Sequence, residues 1–454
     1  MMLPRQLTWL HLLPADSSFE VTSSAAPGWL REPLAGRNAS NEKKSIVAFD
    51  AQAHDLPPLS SARGFVGINC PKVSDQHLKS AGFTRIARYA VLPSWDNPRW
   101  FIPLGSPAVS SAGFNLYTPA RTSARLKRFA ARVAVYSRLP YWYRDQLLIA
   151  QREPSPLHSS MLRLFPNQDI HFALSAGAPE GARNRKASAA VIDERGKLLA
   201  FLKLAASDLA TELLHREANN LKTLATTPGP ADVVPRLLAA EEIDGTFVAA
   251  QAPLPGGPAP TALTPMHRWL LDQLTPGTPV SPAQTELVRN LPSRIAALPQ
   301  PHPELTAALE EAMKSLAGQR IAVGAVHGDF APWNLRLHKG RISAFDWEYG
   351  CLEGPAGLDE IHYRLQVGYL LDNWSVDRAL KELSDAPVLD RYFSKPDPAA
   401  RRALIALYLV DVLTRLYAEG YDHTNDMVEW NQRLLSRLDL ASPTVRAGRE
   451  AILA

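Results

Sequence analysis

Between Val326 and Glu348 the chain reads VHGDFAPWNLRLHKGRISAFDWE, which sets His327, Asp329, Asn334 and Asp346 on two short strands and the loop before them. Packing gives no reason for so many carboxylates and amides there, because each needs a partner or a proton once it leaves water. Phosphoryl transfer from a nucleotide does give a reason. It requires a carboxylate near the acceptor hydroxyl, oxygen ligands for magnesium, and a cation on the nucleotide phosphates. Asp329 and Asn334 have the spacing of a proton-accepting Asp and a metal-holding Asn. Asp346, at the end of the second strand, stands where a second metal-binding carboxylate belongs.

The cation is sought upstream. Lys203 lies in AFLKLA, a charge inside an apolar strand, where a buried ammonium is costly unless paired. On the following helix Glu217, in HREANNLKTLA, is the expected partner and Glu212 the competing one. The stretch SAGAPEGARNRK has neither a full glycine-rich pattern nor a Walker sequence. Its Ser175, Gly177, Gly181 and Asn184 are nevertheless candidates to turn backbone N–H groups toward phosphate, with Arg183, Arg185 and Lys186 adding charge. VAAQAPLPGG would then be a hinge whose Gln251 and Ala252 meet the nucleobase.

These residues need a scaffold. From His171 the pattern predicts three strands, a helix over DLATELLHREANNLKTLA that ends before Pro228–Gly229–Pro230, and two more strands around 233–240 and 246–251. Beyond PLPGGPAP the segments read as helical, interrupted by a hairpin that turns at Lys339 and Gly340. The first sixty or so residues are rich in Pro, Ser, Ala and Gly, and read as loop that is open to disorder. Residues 61–165 read as an α/β region of unassigned role, with strand, helix and strand up to about Leu104. The expected division is therefore 1–60, 61–165, a small β-rich lobe over 166–252 and a helical lobe over 253–454.

The motif HGDxxxxN, with DWE after a short hairpin, resembles the aminoglycoside phosphotransferase and choline kinase family from about Ala173 onward. That resemblance implies an α+β, two-lobed protein-kinase-like fold, preceded here by an α/β or irregular region, and an ATP- and magnesium-dependent phosphotransferase acting on a small-molecule alcohol. By it Asp329 is the catalytic base, Asn334 and Asp346 hold magnesium, His327 supports the loop, and Asp359 helps order the site. Gly328 departs from the protein-kinase version, which carries Arg there. The stretch LKSAGFTRIARYAVLPS separately resembles the closing segment of class I methyltransferases, but no glycine-rich cofactor loop follows a strand upstream of it. The alternative to an enzyme is a non-catalytic kinase-like nucleotide-binding module in a biosynthetic or surface-polysaccharide setting. The presence of Lys203, Asp329, Asn334 and Asp346 together argues against it.

Composition excludes other classes. The net charge of +4 over 454 residues is too dilute to indicate nucleic-acid binding. Two cysteines, Cys70 and Cys351, build neither a disulfide framework nor a four-cysteine zinc site, so a cytoplasmic setting is expected. Residues 121–152 are the most basic stretch, with Leu126, Phe129, Val133 and Tyr136 at helical spacing opposite Arg121, Arg125, Arg128 and Arg132, and 121–143 is the part that would meet a membrane. Packing on its own domain is the preferred reading and membrane-surface contact the secondary one. Glu348, Glu353, Asp359 and Glu360 form a locally acidic segment. Capping and metal tuning are the preferred reading for these acids, ahead of a cationic acceptor.

Overall fold

The computed structural model describes residues 4–23, 26–35, 44–116, 122–137, 144–177, 182–205, 207–384, 387–395 and 397–438. The chain forms two units, Met1–Leu214 with Leu237–Pro253 and His215–Arg236 with Leu254–Ala454.

The first unit is built on one 11-stranded sheet. Its strands are β1 (Phe19–Val21), β2 (Ser45–Phe49), β3 (Gly64–Ile68), β4 (Arg85–Leu92), β5 (Trp100–Pro103), β6 (Gln146–Gln151), β7 (Ile170–Ser175), β8 (Lys186–Asp193), β9 (Leu198–Ala205), β10 (Leu237–Ile243) and β11 (Thr246–Gln251). They lie in the order β1-β2-β3-β6-β4-β5-β7-β8-β9-β11-β10. The pairs β1·β2 and β2·β3 are parallel and the others antiparallel. The helices of this part are α1 (Gly28–Ala35), α2 (Asp75–Ser80), α3 (Pro107–Gly113), α4 (Thr122–Tyr136), α5 (Pro156–Leu164) and the start of α6 (Asp208–Leu224).

The strands β7, β8, β9 and β11 and helix α6 fall where the periodicity places them, whereas β10 starts at Leu237 rather than near Val233, after a 3-10 turn at Pro230–Asp232. The region before them differs from expectation. Residues 4–35 and 44–61 contain β1, α1, β2 and short 3-10 turns rather than loop alone. Leu7, Trp9 and Leu30 are fully buried in one apolar cluster with Val66, Phe101, Leu174, Val191, Leu202 and Val248, each such side chain contributing about 1.5–3 kcal/mol relative to exposure. A division at residue 165 is therefore absent from the sheet and from the core. The physical reason is β5, which pairs with β4 and also lays Trp100 opposite Ser175 and Phe101 opposite Leu174 of β7. The β5·β7 ladder stops there, because Pro103 has no N–H to continue it.

The second unit is mainly helical: α7 (Pro265–Leu274), α8 (Glu286–Ala296), α9 (Pro303–Ser315), α10 (Leu358–Leu370), α11 (Val376–Ser384), α12 (Pro398–Ala418) and α13 (Asp426–Arg437). Its short strands are β12 (Gly257–Pro258), β13 (Val323–Val326), β14 (Leu335–His338), β15 (Arg341–Ala344) and β16 (Cys351–Pro355). Helix α12 carries apolar residues on nearly every face and is buried along most of its length, so it is the axis around which α9, α10 and α13 pack. The β14–β15 turn puts Lys339 and Gly340 at φ 48° and 76°, the two left-handed residues that a two-residue hairpin needs. Among the described residues no helix is long and apolar enough to cross a membrane.

Candidate active site

β13 delivers the chain into the HGD loop, which is held by its own backbone. The buried Asp359, at the first turn of α10, accepts the N–H of His327 at 2.7 Å and of Gly328 at 2.9 Å. Burial pushes this carboxyl above its usual range, and the nearby imidazoles and the two amide donors offset that only in part. His327 accepts the Asp329 N–H at Nδ1, which leaves Nε2 to donate to the Phe345 carbonyl at 2.8 Å. His327 thus joins the loop to the strand that carries Asp346 and reaches no reacting group. Gly328 has φ 79°, and a Cβ there would lie 2.5 Å from the Tyr349 carbonyl. No side chain fits, which is why this loop lacks the Arg of the protein-kinase pattern.

Asp329 is gripped on both oxygens. Asn334 Nδ2 donates to Oδ2 at 2.7 Å, and His362 Nε2 lies 2.9 Å from Oδ1. Burial pushes the Tyr408 phenol up, so its O–H stays available to donate to His362 Nδ1 at 3.0 Å and fixes the tautomer that donates to Asp329. Behind the loop Arg415 donates to the Gly328 carbonyl at 2.7 Å and pairs with Asp411, which also meets Arg294 at 2.6 Å. Burial alone would raise the Asp411 pKa, but the Arg415 and Arg294 guanidiniums prevail and hold it low. A cavity of about 240 Å³ is lined by Gly328, Asp359, His362, Tyr408 and Arg415 but not by Asp329, so it sits behind the loop rather than before the carboxylate.

Carboxylates of Glu217, Asp346 and Glu348 offer oxygens that all lie within 4.8 Å of one another. Asp346 has φ 74°, a left-handed conformation uncommon away from glycine, and the Phe345 N–H bonds the Asn334 carbonyl at 3.0 Å. Glu217, fully buried on α6, accepts the Trp347 N–H at 3.1 Å, and Asn220 donates to the carbonyls of Trp347 and Gly350. One face of α6 therefore shapes the DWE turn. Glu212 is exposed, whereas Glu217 is buried. The donor set is all oxygen and anionic, with the amide oxygen of Asn334 near by in sequence and hydrogen bonding, and it suits a hard divalent cation rather than a soft one.

In the first unit Lys203 is half-buried on β9, directly opposite Ser188 of β8 and Ala249 of β11, and Ser188 is in turn opposite Ser175. Ser175 and Lys203 thus share one row across the sheet. Gly177 has φ 72°, and a Cβ there would fall 1.8 Å from the Lys186 carbonyl, so the loop closes onto β8 only with glycine. Gly181 lies outside the described residues. Asn184 is next to Arg185, whose buried guanidinium donates to the Ala176 carbonyl and so braces the turn. Gln251 ends β11 with its Nε2 buried and without a partner among the described residues, one residue before Ala252.

Most of the acidic segment is committed to structure. Asp359 holds the loop, Glu360 is fully buried between Arg364 and Tyr392, Glu353 faces Arg289, and Glu348 belongs to the carboxylate cluster. Asp359 and Glu360 are thus held by the protein itself, whereas Glu353 is exposed and only loosely met by Arg289. Sequence reasoning misses His362, Tyr408 and Arg415. His362 has a signal, since it follows Asp359 by about one helical turn on the same face. Asp411 and Arg415 have another, as charges at i and i+4 inside an apolar helix.

Loss of the His362 donor has a specific expected signature. His362→Phe should lower turnover by about tenfold, as loss of a hydrogen bond to a charged group. The donor also holds the carboxylate in one orientation, so its loss should fall on kcat and leave the KM for ATP near wild type. His362→Gln, which keeps an N–H donor, should restore part of the turnover. Unchanged kcat in His362→Phe would remove this role.

The model of a family described as the phosphotransferase enzyme family matches residues 177–404, just over half of the chain. No curated protein matches. Among solved structures, a thermostable mutant of an aminoglycoside phosphotransferase, in ternary complex with ADP and hygromycin B, is 13% identical with a TM-score of 0.43, covering 63% of this chain and 100% of its own. The macrolide 2′-phosphotransferase of Brachybacterium faecium, as apoenzyme, is 16% identical with a TM-score of 0.36, covering 63% of this chain and 98% of its own.

Proposed function

This chain belongs to the phosphotransferase enzyme family, an enzyme of α+β, protein-kinase-like fold that transfers a phosphoryl group to a small-molecule alcohol, and from that premise we propose that it takes the γ-phosphoryl group of ATP with magnesium. One observation carries the reading. Asn334 holds the Asp329 carboxylate with its side chain and the Phe345 N–H with its backbone, so the carboxylate and the turn bearing Asp346 are one hydrogen-bonded unit.

In this reading Asp329 accepts the proton of the acceptor hydroxyl, with Asn334 and His362 fixing its orientation while leaving other lone pairs of the carboxylate to the substrate. Asp346 and the Asn334 side-chain oxygen would hold magnesium, with Glu348 and Glu217 adjoining. The ion supplies neutralisation of the charge on the β- and γ-phosphates. Lys203 would steady the nucleotide phosphates, Ser175, Gly177 and Asn184 would offer them backbone N–H groups, and the orphaned amide of Gln251 with the Ala252 backbone would meet the base.

The acceptor class is read from how the acids are used. With Asp359 and Glu360 engaged by the protein and Glu348 in the carboxylate cluster assigned to the metal, a polar hydroxylated acceptor such as a sugar fits better than a cationic amino alcohol. The test is acceptor-dependent ADP release by the purified full chain, with magnesium, across sugars, amino alcohols and aminoglycosides. Turnover with sugars is the expected result, and turnover confined to quaternary or primary amino alcohols would overturn the acceptor assignment. ATP bound without acceptor-dependent release by any of them would overturn the whole proposal.

A further inference from the structure

Among the described residues the large apolar side chains that stand exposed are Leu126 at 68%, Phe129 at 64%, Val133 at 44%, Tyr136 at 56% and Trp269 at 37%. All but the last lie on α4. At 100° per residue these four form one stripe. The residues by which α4 packs on its own unit, Ala131, Ala134 and Val135, lie on the opposite side of the helix, against Phe114 and the sheet residues Ala90, Leu92 and Ile102. The sequence preference for packing through the apolar stripe is thus reversed: small residues make the contact, and the large ones point away.

One flank of that stripe is cationic: at 100° per residue Arg125 and Arg132 lie beside Tyr136 and Phe129, and both are exposed. Lys127 is exposed on the far side of the helix, and Arg128 is half-buried and reaches Asn115. Arg132 also reaches Ser111. Monomeric proteins rarely leave a contiguous apolar stripe in water without a use for it.

We propose that α4 docks on an anionic lipid surface, with Leu126, Phe129, Val133 and Tyr136 entering the headgroup–acyl boundary and Arg125 and Arg132 lying at the phosphates. An apolar stripe with a basic flank, on a helix that is polar on balance and has no span-length apolar run, is the pattern of a helix that lies in the interface plane. A nucleic acid would use the charges but leave the Leu and Val side chains in water, and a second copy of this chain would bring the same positive flank against itself.

The experiment is sedimentation of the full chain with phosphatidylcholine vesicles, with and without about one-third phosphatidylserine, at low and physiological salt. Binding to the phosphatidylserine vesicles only, weakened by salt as screening demands, is the expected result. Leu126→Ser/Phe129→Ser should reduce it more than tenfold, and Arg125→Gln/Arg132→Gln about fivefold per charge removed. These side chains are exposed, so both variants should keep the wild-type melting temperature and lipid-free turnover. Absence of binding at low salt, equal binding to both vesicle types, or equal binding by the Leu126→Ser/Phe129→Ser variant would each overturn the proposal. So would vesicle-independent self-association, or binding to RNA alone, abolished by the same substitutions.

Discussion

Asp329→Asn should leave nucleotide and magnesium binding nearly intact while lowering turnover by about 10² to 10⁴-fold, the range for loss of a positioned general base. The substitution keeps the shape of the side chain and at least one acceptor oxygen for Asn334 or His362, so the loop, held through Asp359 and Arg415, should not move. Calorimetric titration with ATP beside a turnover assay separates binding from chemistry. Unchanged turnover would withdraw the proton-accepting role. Strong loss of ATP affinity would mean instead that Asp329 helps hold the nucleotide.

Asp346→Ala should fail differently. Its carboxylate is one of three converging oxygen donors beside Asn334, and its removal leaves Glu217 and Glu348 to crowd one another without the ion they would share. Turnover should fall by at least about 10²-fold, and ATP affinity should fall too, because the β- and γ-phosphate charge loses its bridging cation. The difference should depend on magnesium: wild type binds ATP more tightly as magnesium rises, and the variant should show little such gain. Equal affinity in both proteins at every magnesium concentration would contradict the metal role.

How much of the molecule is legible in its sequence depends on the range of the interactions. The hairpin of β14 and β15, helix α6 and strands β7 to β11 are written in local periodicity and turn residues, and the HGD loop in residue types whose burial has no packing reason. The partners of Asp329 are harder to read. Asn334 is five residues away and shares its motif, whereas His362 and Tyr408 arrive from two helices whose packing no local pattern announces. The first 165 residues are the least legible. β6 enters between β3 and β4, so residues near 65 pair with residues near 149, and β1 has only three residues with which to advertise itself. The direction in which α4 faces is hidden for another reason: amphipathicity marks an apolar stripe without saying whether the protein's own body or something else covers it.

The continuity of the sheet through β5 bears on aggregation. An edge strand offers a row of unpaired N–H and C=O groups to any other chain, and folded proteins blunt such edges with brevity, charge or a bulge. Both outer strands here do so: β1 is three residues long, and β10 has Glu241 and Glu242 and an irregularity between Leu237 and Ala239. β7, IHFALS, has none of these protections, and Leu174 and Ala173 on it are fully buried. At Leu174 and Ser175 the edge is closed by β5, which is already paired there. A chain shortened to begin near residue 166 would retain every residue assigned to phosphoryl transfer, yet it would expose a sticky apolar edge and uncover Val191, Leu202 and Val248 beneath the missing core. The first 165 residues thus cover part of a strand edge and a core face that the rest of the chain would leave open on its own.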